Sequence, residues 1–294
     1  MSNEEFDPGL LFRGTESPIP AFARRRGTLF PMIKLYDNAF SPFARKVRLV
    51  LEHKRLAYDT VDGLALANRQ VLEAVNGRVE VPALDHDGLI VVGSADICLY
   101  LERLRHEPAV YPSDHAEWVR ARAWERCADT IIDPILINLS YWSWAERTDQ
   151  LPAAWVLAAR HDLEVVYAAL ERDLEGGHFL CGQLSIAELA LFPHLTATRS
   201  LGVGHDPERH PRLHAWLKRL RTMDVFRGDL ERTRGFLAAF VPGAHERRKI
   251  FWRGDRIEWL LARGFHRWLE QEIAEDRVLF PGLGVPGPRV APRE

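Results

Sequence analysis

The stretch NAFSPFARKVRLVLEHKRL, residues 38–56, holds a turn, a helix start and an apolar helix in succession. Serine is favoured at the N-cap of a helix and proline at its first position, so Ser41 and Pro42 predict a helix that runs to about Lys54. The positive end of such a helix also suits an anion, such as a thiolate held beside the serine hydroxyl. Capping and anion binding are therefore two interpretations of Ser41. The apolar residues that share one helix face, and the charged ones mostly elsewhere, are Phe43, Val47, Val50 and Leu51, against Arg45, Lys46, Arg48 and Glu52.

Working outward from this helix, the flanking sequence predicts a small mixed sheet with helices on its faces. The strand and helix patterns follow the order βαβαββα within about 80 residues. The predicted segments are MIKLYDN from Met32, the helix from Ser41, LAYDTVD, NRQVLEAVNG, two strands around the turn at Asp87-Gly88, and the helix SADICLYLERLR from Ser94.

Beyond about residue 114 the periodicity becomes wholly helical. A long helix with a kink at Pro134 comes first, and a capping box from Ser185 to Glu188 opens a later one. The extension from about 246 to 273 is expected to be helical and packed; its apolar stripe is Ile257, Leu261, Phe265 and Trp268. The predicted organisation is an N-terminal arm at 1–31, a mixed domain at 32–113, an all-helical domain at 114–243, and a C-terminal helical extension with an extended tail at 244–294.

The composition is that of a soluble protein without nucleic-acid or membrane partners. The net charge is -2 over 294 residues, and no segment resembles a signal peptide or a membrane span. Three scattered cysteines, Cys98, Cys127 and Cys181, suit a reduced compartment, so a cytoplasmic location is expected. The nearest histidine cluster lacks metal-ligand spacing, so no metal site is predicted; its members are His205, His210 and His214.

Four local features stand in order along the chain: SPFARKVRLVL, NGRVEVPAL, GSADICLYLE and FLCGQLSIAELALFPHL. Together they resemble the cytosolic glutathione transferase superfamily over about residues 32 to 240. The resemblance implies an α/β plus all-α fold, with an N-terminal thioredoxin-like domain followed by a glutathione-transferase-type helical domain. It also implies glutathione as co-substrate and a homodimer.

The resemblance matches Ser41 to the position that is serine or cysteine in one group of classes. In the serine-type classes the hydroxyl donates a hydrogen bond to the glutathione sulfur and favours the thiolate. A free thiol has a pKa of about 8.5, so little of it is ionised at neutral pH. Tyr36 is the competing catalytic candidate, with packing on the sheet as its alternative. Serine in place of cysteine also argues against glutaredoxin-like reduction, because a mixed disulfide requires a protein sulfur.

The remaining glutathione contacts are carried over in the same way. Pro82 matches the family's cis-proline, which would aim the Val81 N–H and C=O at the cysteinyl backbone. Ser94 matches the serine that receives the γ-glutamyl carboxylate, with a plain N-cap as its alternative. The implied glutathione site consists of Val81, Pro82, Ser94, Asp96 and Phe43.

Two positions depart from the family pattern. Gly93 stands where the family commonly has Glu or Gln, which grips the γ-glutamyl amino group, and Glu80 stands at a lysine position. Glycine has no acceptor, so weak glutathione binding is expected unless Asp96 supplies one.

The second substrate is expected to be apolar, in a pocket formed by Phe40, Tyr141, Trp142 and Trp144. Because two tryptophans two residues apart cannot share one helix face, at least one of Trp142 and Trp144 faces a cleft or a partner. The tryptophans that would cover the cleft, or stabilise the helical domain or a dimer, are Trp252, Trp259 and Trp268.

The leading functional hypothesis is a serine-type glutathione transferase in detoxification that adds glutathione thiolate to a small apolar electrophile. A thiol-dependent etherase, dehalogenase or isomerase would use the same site. The alternative from another class is a non-catalytic glutathione-transferase-like binding or scaffold protein.

Overall fold

A four-stranded mixed sheet carries the first part of the chain in the computed structural model, which describes residues 32–281. The predictions for the N-terminal arm and for most of the tail lie outside these residues. The strand order is β2-β1-β3-β4, with β1 parallel to β2, antiparallel to β3, and β3 antiparallel to β4. The elements confirm the predicted order: β1 Ile33–Asp37, α1 Pro42–His53, β2 Tyr58–Asp62, α2 Arg69–Asn76, β3 Ala83–His86, β4 Leu89–Val92 and α3 Ser94–Leu104.

The second part is helical, as predicted, and its long first helix is interrupted at Pro134. A π-helical segment, Ala128–Ile132, stands directly before this proline. Proline lacks an N–H and its ring crowds the carbonyl of the preceding turn, so the regular hydrogen-bond ladder is disrupted there. The helices are α4 His115–Cys127, α5 Asp133–Trp144, α6 Ala153–Asp173, α7 Ile186–Ala197, α8 Pro211–Leu220 and α9 Asp224–Ala239.

The predicted capping box of α7 is confirmed. The Ala187 N–H donates to Ser185 Oγ at 3.3 Å, and the Ser185 N–H donates to Glu188 at 3.0 Å. Glu188 also accepts from the Leu180 N–H at 2.8 Å. This buried carboxylate therefore joins the start of α7 to the chain that leads into it.

Helix α1 is buried on more than the one face predicted from its apolar stripe. Arg45, Lys46 and Arg48 were expected mostly on the other faces, yet all three are buried because α1 lies between the sheet and the helical part. Carboxylates of the helical part compensate their charges: Arg45 pairs with Asp229 at 2.6 Å and Lys46 with Asp129 at 2.7 Å. Pairing of this kind offsets much of the cost of burying a charge.

The C-terminal extension is folded and packed, but not as one continuous helix. The chain turns at Gly264, whose φ is +78°, so the predicted stripe is divided between two helices; Ile257, Phe265 and Trp268 pack against the core, and Leu261 does not. Leu261 is 52% exposed, whereas Trp259 and Leu260 are buried. The extension consists of β5 Lys249–Ile250, α10 Gly254–Ala262, α11 His266–Ala274 and β6 Val278–Leu279, with β5 parallel to β6.

An aromatic cluster attaches this extension to the helical part. Trp155 of α6 lies at its centre, 4.7 Å from Trp268, 4.9 Å from Phe265 and 5.5 Å from Trp142 between ring centroids. Trp259 lies 6.1 Å from Trp155. Of the three roles considered for the extension's tryptophans, the contacts of Trp259 and Trp268 match stabilisation of the helical part.

Residues 245–256, which we call the strap, connect the sheet layer to the helices. On the sheet side His245 Nε2 lies 3.2 Å from Asp62 Oδ2, and Arg78 donates to the Trp252 carbonyl at 2.8 Å. On the helix side the Asn138 amide of α5 donates to the Arg256 carbonyl at 3.0 Å. The strap thus spans the gap between the two layers.

The three cysteines are free thiols, and burial raises the pKa of each. The pKa of Cys127 is raised to about 11 and that of Cys181 to about 12. Cys98 is fully buried, and desolvation outweighs the nearby Lys46 ammonium in setting its raised pKa. All three therefore remain thiols at neutral pH.

Within residues 32–281, no helix combines the length and the apolar character that a membrane crossing requires. Over the same part of the chain, no three His, Cys, Asp or Glu side chains are grouped so as to hold a metal ion.

Candidate active site

A cavity of about 980 Å³ lies between the sheet layer and the helices. Its sheet side is formed by the β1–α1 turn, the loop before β3 and the start of α3, and its far side by α5, α7, α9 and the strap. The predicted site residues that line it are Phe40, Ser41, Phe43, Val81, Pro82, Ser94, Asp96 and Trp144.

The β1–α1 turn fixes the position of Ser41. Asn38 Oδ1 accepts the Phe40 N–H at 3.0 Å, an Asx turn that reverses the chain after β1. Asn38 Nδ2 in turn donates to Asp62 Oδ1 at 3.0 Å, and the Ser41 N–H donates to the Asn38 carbonyl at 3.0 Å. These bonds hold Ser41 at the cavity wall before α1 begins.

Ser41 is the N-cap of α1, as predicted. Its Oγ accepts the Ala44 N–H at 3.3 Å. An accepting hydroxyl keeps its own proton for donation, and the first turn of a helix carries partial positive charge. The capping and anion interpretations are therefore compatible, since the same oxygen can accept from the helix and donate to a ligand.

The loop before β3 presents unpaired backbone groups next to Ser41's helix. The Val81–Pro82 peptide bond is cis, which confirms the geometry that the resemblance implied. Among residues 32–281, neither the N–H nor the C=O of Val81 has a backbone partner. Both groups can therefore pair with the backbone of a peptide ligand.

The start of α3 differs in one detail from the expected N-cap. Gly93, with φ +84° and ψ 121°, occupies the cap position, and Ser94 is the first helical residue. The interpretation of Ser94 as a plain N-cap is therefore wrong. Ser94 lines the cavity. The N–H groups of the first turn of α3, which have no partner within the helix, lie at the same end.

Asp96 stands beside the glycine that replaces the family's acid or amide. A Cβ placed on Gly93 would lie 3.4 Å from Asp96 Oδ2. The Asp96 carboxylate therefore occupies the neighbourhood that the missing side chain would reach.

Tyr36, the competing catalytic candidate, is buried and does not line the cavity. It packs with Leu72, Val81 and Ala83, and burial raises the pKa of its hydroxyl. The packed-strand interpretation of Tyr36 is the one that the structure favours.

The predicted second-substrate residues separate into two groups. Phe40 and Trp144 line the cavity. Tyr141 and Trp142 are only 1% and 2% exposed and lie within the aromatic cluster, so their prediction as pocket residues is corrected. Trp142 diverges from Trp144 because side chains two residues apart do not share a helix face, whereas Tyr141 packs against the Trp144 ring at 5.1 Å from inside the cluster.

The sequence analysis missed the far wall of the pocket. It is formed by one face of α9 and by the chain after it, with apolar contributions from α5: Leu230, Leu237, Phe240, Leu136 and Ile137. The i, i+7 spacing on α9 was a usable signal, but it fits a core face equally well.

A group of buried polar residues at the cavity was also missed. His194 Nε2 has no hydrogen-bond partner and lies 4.0 Å from Asp133 Oδ1. Burial lowers the pKa of His194, so its imidazole is neutral at neutral pH. The other oxygen of Asp133 pairs with Arg256 Nε of the strap at 2.8 Å.

Two family models match the chain. The glutathione S-transferase N-terminal domain model matches residues 35–109, and the glutathione S-transferase C-terminal domain model matches residues 153–219. The chain is 31% identical over 209 residues to a probable glutathione S-transferase, GSTU6, of Oryza sativa subsp. japonica, covering 67% of this chain and 87% of that protein. The chain therefore belongs to the glutathione S-transferase family.

Solved structures agree with this assignment. A glutathione S-transferase from Rhodospirillum rubrum F11 is similar with a TM-score of 0.61 and 25% identity, over 68% of this chain and 92% of that one. A maleylacetoacetate isomerase from Anaeromyxobacter dehalogenans 2CP-1 is similar with a TM-score of 0.54 and 28% identity, over 68% and 91%. Both family models end before α9, so the strap and the extension lie beyond them.

Proposed function

We propose that Ser41 holds glutathione as its thiolate and that the protein adds this thiolate to an apolar electrophile bound against α5 and α9. The observation that carries the proposal is Ser41 Oγ, which caps α1 at the cavity wall and retains a proton to donate. The chain's membership of the glutathione S-transferase family makes glutathione the thiol to consider.

The chemistry follows from stabilising one charge. The Ser41 hydroxyl donates to the sulfur while the start of α1 adds positive potential, and both favour the thiolate over the thiol. The sulfur is the nucleophile, so the protein forms no covalent bond to substrate. Holding the two reactants side by side supplies the rest of the rate enhancement.

The other residues of the site each bind one part of glutathione. The Val81 N–H and C=O pair with the cysteinyl backbone, Ser94 and the start of α3 receive the γ-glutamyl carboxylate, and Asp96 accepts from its ammonium group. Phe43 packs beside this site. The unpaired backbone groups of Val81 and the position of Asp96 beside Gly93 support these roles.

The proposal extends to the protein's setting. Glutathione is a co-substrate, the active form is a homodimer, as is usual in the family, and the protein works in the cytoplasm. Three cysteines that form no disulfide suit a reducing compartment, which supports this setting.

Ser41→Ala tests the mechanism. A hydrogen bond to a charged group contributes about 1.5–3 kcal/mol, so kcat/KM for conjugation is expected to fall by about 10- to 100-fold. Tyr36→Phe is the matched control, since it removes a hydroxyl that does not reach the cavity, and its turnover is expected to stay near wild type. Unchanged turnover in Ser41→Ala would remove Ser41 from the mechanism.

Calorimetric titration with glutathione separates the transferase from the non-catalytic alternative. Wild type is expected to bind glutathione, and Asp96→Ala is expected to bind it more weakly. No detectable binding by wild type would support the binding or scaffold protein instead.

A further inference from the structure

The strap brings two arginines into the cavity from outside the two matched family domains. Arg253 and Arg256 both line the cavity, and their guanidinium carbons lie 5.2 and 5.9 Å from the centroid of the Phe43 ring. Phe43 is two residues after Ser41 on α1. Both guanidinium groups therefore lie against a side chain of the first turn of α1.

The two arginines differ in how far they are committed to protein partners. Arg256 is buried and held by Asp133, but its Nη1 has no partner. The Arg253 side chain is 26% exposed and uses Nη2 to pair with Asp255 at 2.5 Å. Arg253 therefore has donors that a ligand can reach, whereas the charge of Arg256 is compensated by Asp133.

The strap is anchored to the loop that precedes Pro82. The Trp252 indole N–H donates to the Val79 carbonyl, and Arg78 donates to the Trp252 carbonyl at 2.8 Å. Trp252 itself lines the cavity, which is the covering role considered for it in the sequence. These bonds fix Arg253, the next residue, beside the loop.

The same loop carries an acid where the family pattern has lysine. Glu80 is paired with Arg78 at 3.7 Å, and burial raises the pKa of its carboxyl while Arg78, Arg256 and Arg253 oppose that rise. Glu80 cannot bind an anionic ligand group. Within residues 32–281, three arginines act on the Glu80 carboxyl. Arg78 is its neighbour on the loop, and the other two, Arg253 and Arg256, belong to the strap.

We infer that Arg253 binds a carboxylate carried by a ligand of the cavity. The strap thus supplies the cation that Glu80 does not. Arginine suits this task because its planar fork matches both carboxylate oxygens. The inference rests on the proposed function, and two ligands can carry the carboxylate: glutathione at its glycyl end, or an acidic second substrate.

The experiment compares wild type, Arg253→Ala and Arg267→Ala. Arg267 is an exposed residue of α11 that does not line the cavity. Its replacement by alanine therefore makes the same change in net charge away from the cavity. Each protein is titrated with glutathione and with its glycyl monoethyl ester, and assayed with an α,β-unsaturated acid and its methyl ester. Melting temperatures check that each variant is folded.

We expect Arg253→Ala to weaken glutathione about 10- to 100-fold, as for a charge-assisted hydrogen bond, and to change the ester's Kd less than about twofold. That result assigns the carboxylate to glutathione. Unchanged glutathione binding with a tenfold higher KM for the acid, but not for its methyl ester, assigns it to the second substrate. Arg267→Ala is expected to change none of these values.

Constants for all four ligands within about twofold of wild type in a folded Arg253→Ala would overturn the inference. Arg253→Lys keeps the positive charge but loses the planar guanidinium. Its effect on the binding constants is expected to lie between those of wild type and Arg253→Ala. The proposed function fails by a different result, namely a wild type that neither binds glutathione nor conjugates it.

Discussion

Gly93 shows how one residue can alter the glutathione site without a side chain. Its φ of +84° with ψ of 121° is a conformation that side chains rarely adopt. A glutamate at this position, where the family commonly has Glu or Gln, would bring backbone strain with it because of the positive φ.

Gly93→Ala and Gly93→Glu are both expected to lower the free energy of unfolding by about 1–3 kcal/mol, the usual strain of a side chain at such an angle. Gly93→Glu is expected not to tighten glutathione. Chemical denaturation and calorimetry measure the two effects. Gly228→Ala is the matched control: Gly228 lies within α9, a Cβ there meets nothing within 4 Å, and alanine is favoured by up to about 1 kcal/mol.

A Gly93→Ala protein as stable as wild type, or a Gly93→Glu protein that binds glutathione more tightly, would contradict this account. The first result would mean that the backbone at this position relaxes to a negative φ.

At the scale of elements, strand β5 places a lysine in the core. Lys249 is fully buried, its ammonium lies 4.8 Å from the Tyr141 ring centroid, and the Ile137 carbonyl at 3.4 Å is its hydrogen-bond acceptor. Burial lowers the pKa of Lys249 well below 10.5, and the nearby Arg256 lowers it further, against Asp133 and Glu272. Faces of aromatic rings compensate only part of the lost hydration.

Lys249→Met is expected to raise the melting temperature at pH 7. The folded state binds fewer protons than the unfolded state between the lowered pKa and 10.5, so wild-type stability falls as the pH falls through that window. Methionine carries no such penalty, and replacing buried charge by apolar side chains stabilises some proteins by about 1–4 kcal/mol. The gain should shrink as the pH approaches 10.5, which melting curves at pH 7 and pH 9.5 would reveal. A less stable variant at pH 7 would show that the ammonium contributes net stability.

Helix starts and caps could be predicted from the sequence because they depend on a local pattern. The burial of particular side chains could not be predicted in this way. Ser41, Pro42 and the Ser185–Glu188 capping box act through their own backbone, so sequence identifies them. The burial of Arg45 and Lys46 depends on acids about 80 to 180 positions away, which no local periodicity contains. The break at Gly264 was missed for a related reason: a periodic stripe does not show whether one helix or two carry it.

In the candidate site, the residues on the sheet side of the cavity could be predicted from the sequence, and those of its far wall could not. Ser41, Val81, Pro82 and Ser94 sit in short motifs whose order along the chain is itself informative. The residues from α9 and the strap reach the cavity only through tertiary packing, so apart from a covering role considered for Trp252 their contribution was not predicted. Trp142 illustrates the point, because an aromatic on α5 fits both the core and the pocket until the helix is oriented.

Across the whole molecule, the extension is an integral part of the folded unit. It covers Trp155, which is only 2% exposed, through Phe265 and Trp268, and it is joined to both layers through the strap. Removing it would expose a continuous apolar surface on α5 and α6.

Truncation after Gly243 is therefore expected to lower the melting temperature markedly or to cause aggregation, since each large apolar side chain that loses its burial forfeits about 1.5–3 kcal/mol. Thermal melts and size-exclusion chromatography measure the two outcomes. Leu261→Ala is the control, because this extension residue is 52% exposed and its truncation should change stability by less than about 0.5 kcal/mol. A truncated protein as stable and soluble as the full chain would disprove the structural role.

The raised thiol pKa values of the three cysteines affect how long the protein stays active during turnover. An electrophile that reacts with the glutathione thiolate also reacts with other thiolates. An ionised cysteine of the enzyme would therefore compete with glutathione for the electrophile. Cys127 and Cys181 have pKa values raised to about 11 and about 12, and Cys98 is sealed in the core. The reactive thiolate form is therefore scarce on the protein itself, and under the proposed mechanism it is concentrated on the bound co-substrate. The scaffold is spared self-alkylation, and inactivation by the compounds it processes should be slow over many turnovers.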